Sequence, residues 1–385
     1  MEMTIDQQSF QNGKPHFRQL NGLRGIAAIM VVLFHLIEIF FIGDPIHQWV
    51  NHGYLAVDFF FLLSGYVISY AYDDRWNSMK TGSFFKRRII RLHPLIVFSM
   101  LLGAASFYLQ FTPRLYGLIP ATSGWMLLIV TFMSMAMIPI PVAMDIRGWG
   151  EMYPLNGPAW SLFFEYLAYL AYGLFLRRLS NRLLIVLVFL SGIALVHQGL
   201  TSSSGTLAGG WTLDATHIKI GMTRLCFPFV GGMLMQRSNI PIRKFPQSFL
   251  LASMLLISVL CLPRIGDADA PWMNSMYEFI VVMIGFPFIL FLGSSDQFTE
   301  SVFSKICIWL GDLSYPIYIT HQLVVYFFMA WVFRNKLNFV EALPLLMFTF
   351  IFIIIFSWAC FKWIDKPIRE WLTKKWLLKS NIEKK

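Results

Sequence analysis

Eleven apolar stretches, each close to the length that crosses a bilayer, leave this chain few alternatives to a bundle of membrane helices. A spanning helix needs about 20 predominantly apolar residues. Such stretches fall near residues 22–42, 54–72, 92–111, 124–143, 159–176, 183–199, 218–236, 248–263, 272–294, 312–333 and 342–363, with short polar breaks between them. Hydrophobic residues make up 57% of the 385 and charged residues 14%, more apolar surface than one water-facing core can cover. The expected fold class is therefore all-α, a polytopic transmembrane bundle in one continuous domain.

Charge placement gives that bundle a direction. Lys and Arg cluster at 14–24, 75–91, 177–182, 237–244, Lys305 and 362–385, which the positive-inside rule assigns to the cytoplasm. Both termini then lie inside, which requires an even number of crossings. Eleven segments are odd, and the conflict falls between Arg91 and Trp160. Segment 124–143 is expected to be re-entrant or peripheral, because Pro139 and Pro141 break a regular helix and irregular backbone at depth must be shielded by protein. About ten crossing helices remain. The boundaries expected are a cytoplasmic N-terminal segment 1–20, a membrane domain 21–364 and a basic cytoplasmic tail 365–385, with Trp371 and Trp376 suited to an anionic leaflet. The Ser/Gly-rich stretch 201–210 reads as a flexible outer loop.

Several classes are disfavoured. A net charge of +10 raises the question of nucleic acid, but the basic residues sit in loops between apolar segments rather than on one soluble face with stacking aromatics. The first 20 residues lack the pattern of a cleavable signal. Cys226, Cys261, Cys307 and Cys360 are widely separated in apolar segments, so neither a metal site nor a disulfide framework is expected.

Ionisable groups inside a bilayer cost roughly 2.5–3.5 kcal/mol each on insertion scales, so their positions locate a site. In LNGLRGIAAIMVVLFHLIE, Arg24 and His35 are eleven residues apart, on one helix face and roughly 16 Å apart. Glu38 lies one turn beyond as an orienting partner. An imidazole there titrates near neutrality and can deprotonate a hydroxyl, or it can be a packing residue held by a hydrogen bond. YLAVDFFFLLSGYVISY carries Asp58, which either orients His35 or caps and pairs locally, and Ser64-Gly65, a notch for close helix contact.

In KRRIIRLHP, Arg88 and Arg91 share a face at the start of a helix. They are either interfacial anchors or paired guanidinium forks for phosphate. NGPAWSLFFEYLAYL begins a helix with Trp160 and Ser161 at its mouth and Glu165 about two turns inside, where a structural pair or a site role must account for it. GDLSYPIYITHQ sets Tyr315, Tyr318 and His321 along one helix, the tyrosines fit to line a polar wall and His321 a second candidate base or a packing residue. Asp365 in WIDKPIREW is read as structural.

The order and spacing of these five motifs, LNGLRGIAAIMVVLFH, VDFFFLLSGYVIS, KRRIIRLHP, AWSLFFEY and GDLSYPIYITH, resemble acyltransferase family 3 over residues 20–370. These are bacterial inner-membrane O-acyltransferases that modify surface polysaccharides. The resemblance implies transfer of an acyl group, most often acetyl, from cytoplasmic acyl-CoA to a hydroxyl of a carbohydrate acceptor such as O-antigen or exopolysaccharide. It implies His35 as catalytic base and donor binding by Arg88 and Arg91, with Arg24 in the same channel. Asp58 and Glu165 fall near the reaction centre, and Ser64, Trp160, Ser161, Tyr315, Tyr318 and His321 along the channel. Partners are then acyl-CoA, the carbohydrate and membrane lipids, with no nucleic acid and no metal. His93 and Asp365 depart from the residues common at those places in the family. Some relatives carry a further periplasmic domain after the last helix, which is not expected here. A transporter or flippase for a lipid-linked sugar or acyl carrier would use the same buried groups, but no paired inverted repeat is visible.

Overall fold

A computed structural model describes residues 17–42, 45–112, 117–238, 247–267, 269–295 and 302–378. Most of the expected N-terminal segment 1–20, part of the basic cluster 237–244 and the end of the tail lie outside these residues.

Among the described residues, each of the eleven apolar stretches carries a helix. They are α1 (Arg18–Glu38), α2 (Ala56–Tyr72), α3 (Thr81–Ala105), α4 (Gly124–Met135), α5 (Ala159–Leu174), α6 (Asn181–Leu200), α7 (Ala215–Arg237), α8 (Ser248–Cys261), α9 (Trp272–Gly293), α10 (Val302–Arg334) and α11 (Phe339–Leu378). Local chemistry sets several starts. The side chains of Ser123, Ser180 and Asp214 accept backbone N–H groups at the first turns of α4, α6 and α7, and Asn338 with Glu341 forms a reciprocal capping box on α11.

Among the described residues, eight helices are long and apolar enough to cross a membrane. Large apolar side chains such as Phe189, Ile284 and Phe348 are about two-thirds exposed on outward faces, a surface suited to lipid rather than water. The chain is an all-α polytopic membrane protein. At 12 residues α4 reaches only about 18 Å, well short of the roughly 30 Å hydrocarbon core. The chain leaves it through Met137, at φ 57°, and then Pro139 and Pro141, as the prolines require. α11 continues without a break past Asp365, which pairs with Arg369 one turn on at 3.0 Å.

Two helix pairs form the centre: α1 lies along α10, and α2 along α7. Both depend on glycine at the crossing. A Cβ on Gly65 of α2 would stand 1.9 Å from the Phe229 carbonyl oxygen of α7, and one on Gly232 of α7 would stand 2.1 Å from that of Leu62. The backbones touch, so dispersion rather than bulky interdigitation joins these helices. Gly65→Ala should cost about 1–3 kcal/mol of stability or more, read as earlier thermal unfolding in detergent, because the obstacle is backbone that cannot rotate away.

The stretch 201–210, expected from its composition as a flexible loop, is tied to distant helices. Leu207 is fully buried, its N–H donates to Glu278 Oε2 at 2.5 Å, and the Gly209 carbonyl accepts from Arg224 at 3.1 Å. Two buried charges hold its backbone in place, and composition does not register partners contributed by distant helices.

Candidate active site

The bundle encloses a cavity of about 200 Å³ toward the end that carries the basic segments. Arg24 from α1, Arg88 and Arg91 from α3, and Arg75 from the turn after α2 line its wide part. Deeper in, Ser161, Glu165 and Tyr169 of α5 face Tyr315 and Tyr318 of α10. Helical phase explains the convergence: Ser161 and Glu165 are one turn apart, as are Arg88 and Arg91, and each pair presents one face.

Aromatic rings hold the arginines in place. Arg88 donates to the Tyr72 hydroxyl at 2.6 Å, and its guanidinium lies 5.1 Å from the Tyr72 ring and 5.5 Å from that of Tyr169. Arg91 sits 6.0 Å from the Tyr315 ring. Guanidinium groups lining a cavity beside aromatic rings are of the kind that suits phosphate oxygens.

Glu165 is held inside the cavity wall by hydroxyl donors. Ser64 Oγ donates to its Oε1 at 3.0 Å and the Tyr169 hydroxyl donates to the same oxygen. Ser64 thus belongs to this site through Glu165. At the floor, Tyr318 and Ser161 share a hydrogen bond of 2.5 Å.

Behind that floor stand the two histidines. The Tyr318 ring is 6.1 Å from that of His321, which stacks on His35 at 5.3 Å with 27° between the planes. His35 Nδ1 meets Glu38 Oε1 at 2.6 Å. A carboxylate accepts, so Nδ1 carries the proton and Nε2 presents its lone pair, the tautomer a general base needs. His35 remains partly open, with 23% of its side chain exposed, whereas His321 is fully buried with Nδ1 against the Ile317 carbonyl at 3.0 Å.

Asp58 and Trp160 go elsewhere. Both carboxylate oxygens of Asp58 bond Arg224 of α7, the closest contact being 2.6 Å, with both side chains essentially unexposed. Arg224 also donates to the carbonyls of Tyr54 and Gly209, and its guanidinium lies 5.3 Å from the Trp160 ring. This junction ties the start of α2 to α7 and to the loop 201–214, and the carboxylate that meets His35 is Glu38. Arg224 was visible in the sequence as an arginine inside an apolar segment, the signal that singled out Arg24. Tyr72 and Tyr169 carried no signal, because tyrosines abound in such helices and their neighbours lie far away in sequence.

The chain is thus a helical membrane protein with an arginine-lined cavity floored by tyrosine and an imidazole pair beyond that tyrosine. Comparison gives that class its family. The family model described as "Acyltransferase domain" matches residues 17–362, and the chain belongs to acyltransferase family 3. It is 33% identical over 196 residues to "Protein 2 in picA locus" of Rhizobium radiobacter, covering 48% of this chain and 96% of that protein. With "O-acetyltransferase OatA" of Staphylococcus aureus it shares 24% identity over 374 residues, 91% of this chain but 57% of that protein's length. A "Putative O-acetyltransferase" of Staphylococcus aureus is 38% identical over 96 residues, 24% of this chain and 14% of the relative. No solved structure matches.

Proposed function

We propose that this protein transfers an acetyl group from cytoplasmic acetyl-CoA to a hydroxyl of a cell-surface carbohydrate, with His35 as general base. The observation that carries this reading is a chain of neighbours: arginines and Tyr318 line the cavity, the Tyr318 ring is 6.1 Å from that of His321, and His321 stacks on His35. The positive-inside rule supports a cytoplasmic position for the arginine end, in a bacterial inner membrane with both termini cytoplasmic. Named O-acetyltransferases among the relatives support acetyl as the group moved.

In this scheme the CoA phosphates rest on Arg88 and Arg91, with Arg24 beside them, and the thioester points toward the floor. The acceptor hydroxyl arrives from the opposite end and gives its proton to His35 Nε2. Its oxygen attacks the thioester carbonyl, the C–S bond breaks, and the imidazolium returns the proton to the departing thiolate. Glu38 steadies the positive ring.

Purified protein in proteoliposomes, given labelled acetyl-CoA and a carbohydrate acceptor, should yield labelled ester on the acceptor. Movement of label or sugar across the membrane with no covalent product would replace this reading with transport. Arg88→Ala should raise the KM for acetyl-CoA about tenfold, the loss expected of one charge-assisted contact, and Arg88→Lys should restore only part of it because an ammonium cannot form the fork. Steady-state kinetics with the acceptor held constant measures both.

A further inference from the structure

On the far side of His321 from the cavity floor lies a group of polar atoms that the scheme above does not use. Glu151 Oε2, Asn156 Oδ1, Gln322 Oε1 and His321 Nε2 are all buried, and none receives a hydrogen bond among the described residues. Each is an acceptor. Asn156 gives an amide N–H to the Ile319 carbonyl at 2.7 Å, and His321 gives Nδ1–H to Ile317. Glu151 as a carboxylate has no donor to offer.

The fold brings the four together. Asn156 bonds Ile319 and the Gly157 N–H bonds the Tyr326 hydroxyl at 3.0 Å, so residues 156–157 are laced to α10 across the turn that carries His321 and Gln322. Glu151 is anchored by the bridge between its backbone and that of Thr212, and Met152 N–H bonds the Trp211 carbonyl at 2.7 Å. Gly157 leaves room for the carboxylate: a Cβ there would stand 2.9 Å from Glu151 Oε1. His35 stacks on His321 at the edge of the group.

Buried acceptors are a liability unless something supplies donors. A site that gathers four of them beside a general base suits a ligand rich in hydroxyl groups, each of which donates. A cation would also satisfy acceptors, but the Arg147 guanidinium acts on Glu151 and lies 3.9 Å from the Tyr326 ring, placing positive charge at the edge of the group already.

We infer that Glu151, Asn156, His321 and Gln322 form a binding subsite for the hydroxyls of the carbohydrate acceptor, holding one of them against His35. This rests on the acyl-transfer reading for its orientation toward chemistry, but not for binding itself. Titration supports it. Glu151 lies in the segment between α4 and α5, where burial pushes its carboxyl up to about 7; Arg147 pulls it down, Asp145 pushes it up, and from α1 His35 pulls it down while Glu38 pushes it up. Below about pH 7 a proton occupies one acceptor, and above it all four are open. Sugar retention should therefore rise as pH increases through 7.

The test is equilibrium binding of a panel of radiolabelled methyl glycosides to the purified full chain in detergent, with no acyl donor present. The wild type should retain at least one glycoside. Glu151→Gln, which keeps shape, and Gln322→Met, which keeps volume, should each weaken retention about tenfold or more, and Glu151→Gln should abolish the rise through pH 7. With acetyl-CoA added, both variants should raise the KM for the glycoside and leave that for acetyl-CoA within twofold. Retention of no glycoside by the wild type would mean that water alone meets these acceptors and would overturn the subsite. Equal retention by folded variants would overturn it too. Glycoside retention lost in the variants, in a protein that transfers no acetyl group, would uphold the subsite and reject acyl transfer.

Discussion

Replacing His35 with Ala should lower acyl transfer by about 10²–10⁴-fold, the contribution typical of a general base, while leaving expression and thermal unfolding close to wild type. The side chain is partly open, with its ring beside those of Phe34 and His321, so its removal opens space next to solvent rather than a sealed cavity. Two companions sharpen the reading. Glu38→Gln should cost less, since it removes the charge that steadies the imidazolium but keeps a partner for Nδ1. His321→Ala tests the stacked ring, whose Nδ1 is committed to the backbone. Labelled product measured at saturating acetyl-CoA separates these cases, and full transfer by the His35 variant would remove the base from the scheme.

The largest loss of stability is expected at the Asp58–Arg224 pair. Removing one member strands a charge among α2, α7 and the loop 201–214, and breaking a buried pair of this kind costs about 3–5 kcal/mol. Arg224→Ala should therefore give little monodisperse protein on solubilisation. Asp58→Leu with Arg224→Met should recover much of it, because replacing a buried pair by apolar residues of similar volume is often neutral. Recovered double variant also settles what Asp58 does. Acyl transfer retained there identifies it as an anchor for the mouth of α2, and transfer lost in a well-folded protein gives it a part in the chemistry. Fluorescence-detected size exclusion with a transfer assay on the same sample reads both.

Much of this protein was legible as one-dimensional pattern. A membrane helix hides its backbone polar groups internally, so length and hydropathy alone mark where it can run, and every apolar stretch became a helix. α4 ends at Met135 with Met137 at positive φ, just ahead of the prolines at 139 and 141 that bar a regular helix. Helical phase placed Arg88 with Arg91 on a shared face. Each of these follows from interactions within a few residues, which is why the sequence by itself determined them.

Partners are another matter. Asp58 and Arg224 are 166 residues apart, and Ser64 meets Glu165 across 101. A carboxylate near an imidazole in sequence and one near it in space are both consistent with the same string of letters, so only packing decided that Glu38 takes His35 and Arg224 takes Asp58. The loop 201–210 shows the same limit from the other side, since its glycines and serines describe a freedom that two buried charges from distant helices take away. Tertiary structure alone also produced the acceptor cluster of Glu151, Asn156, His321 and Gln322, because being buried without a donor is a property of the surroundings rather than of any residue.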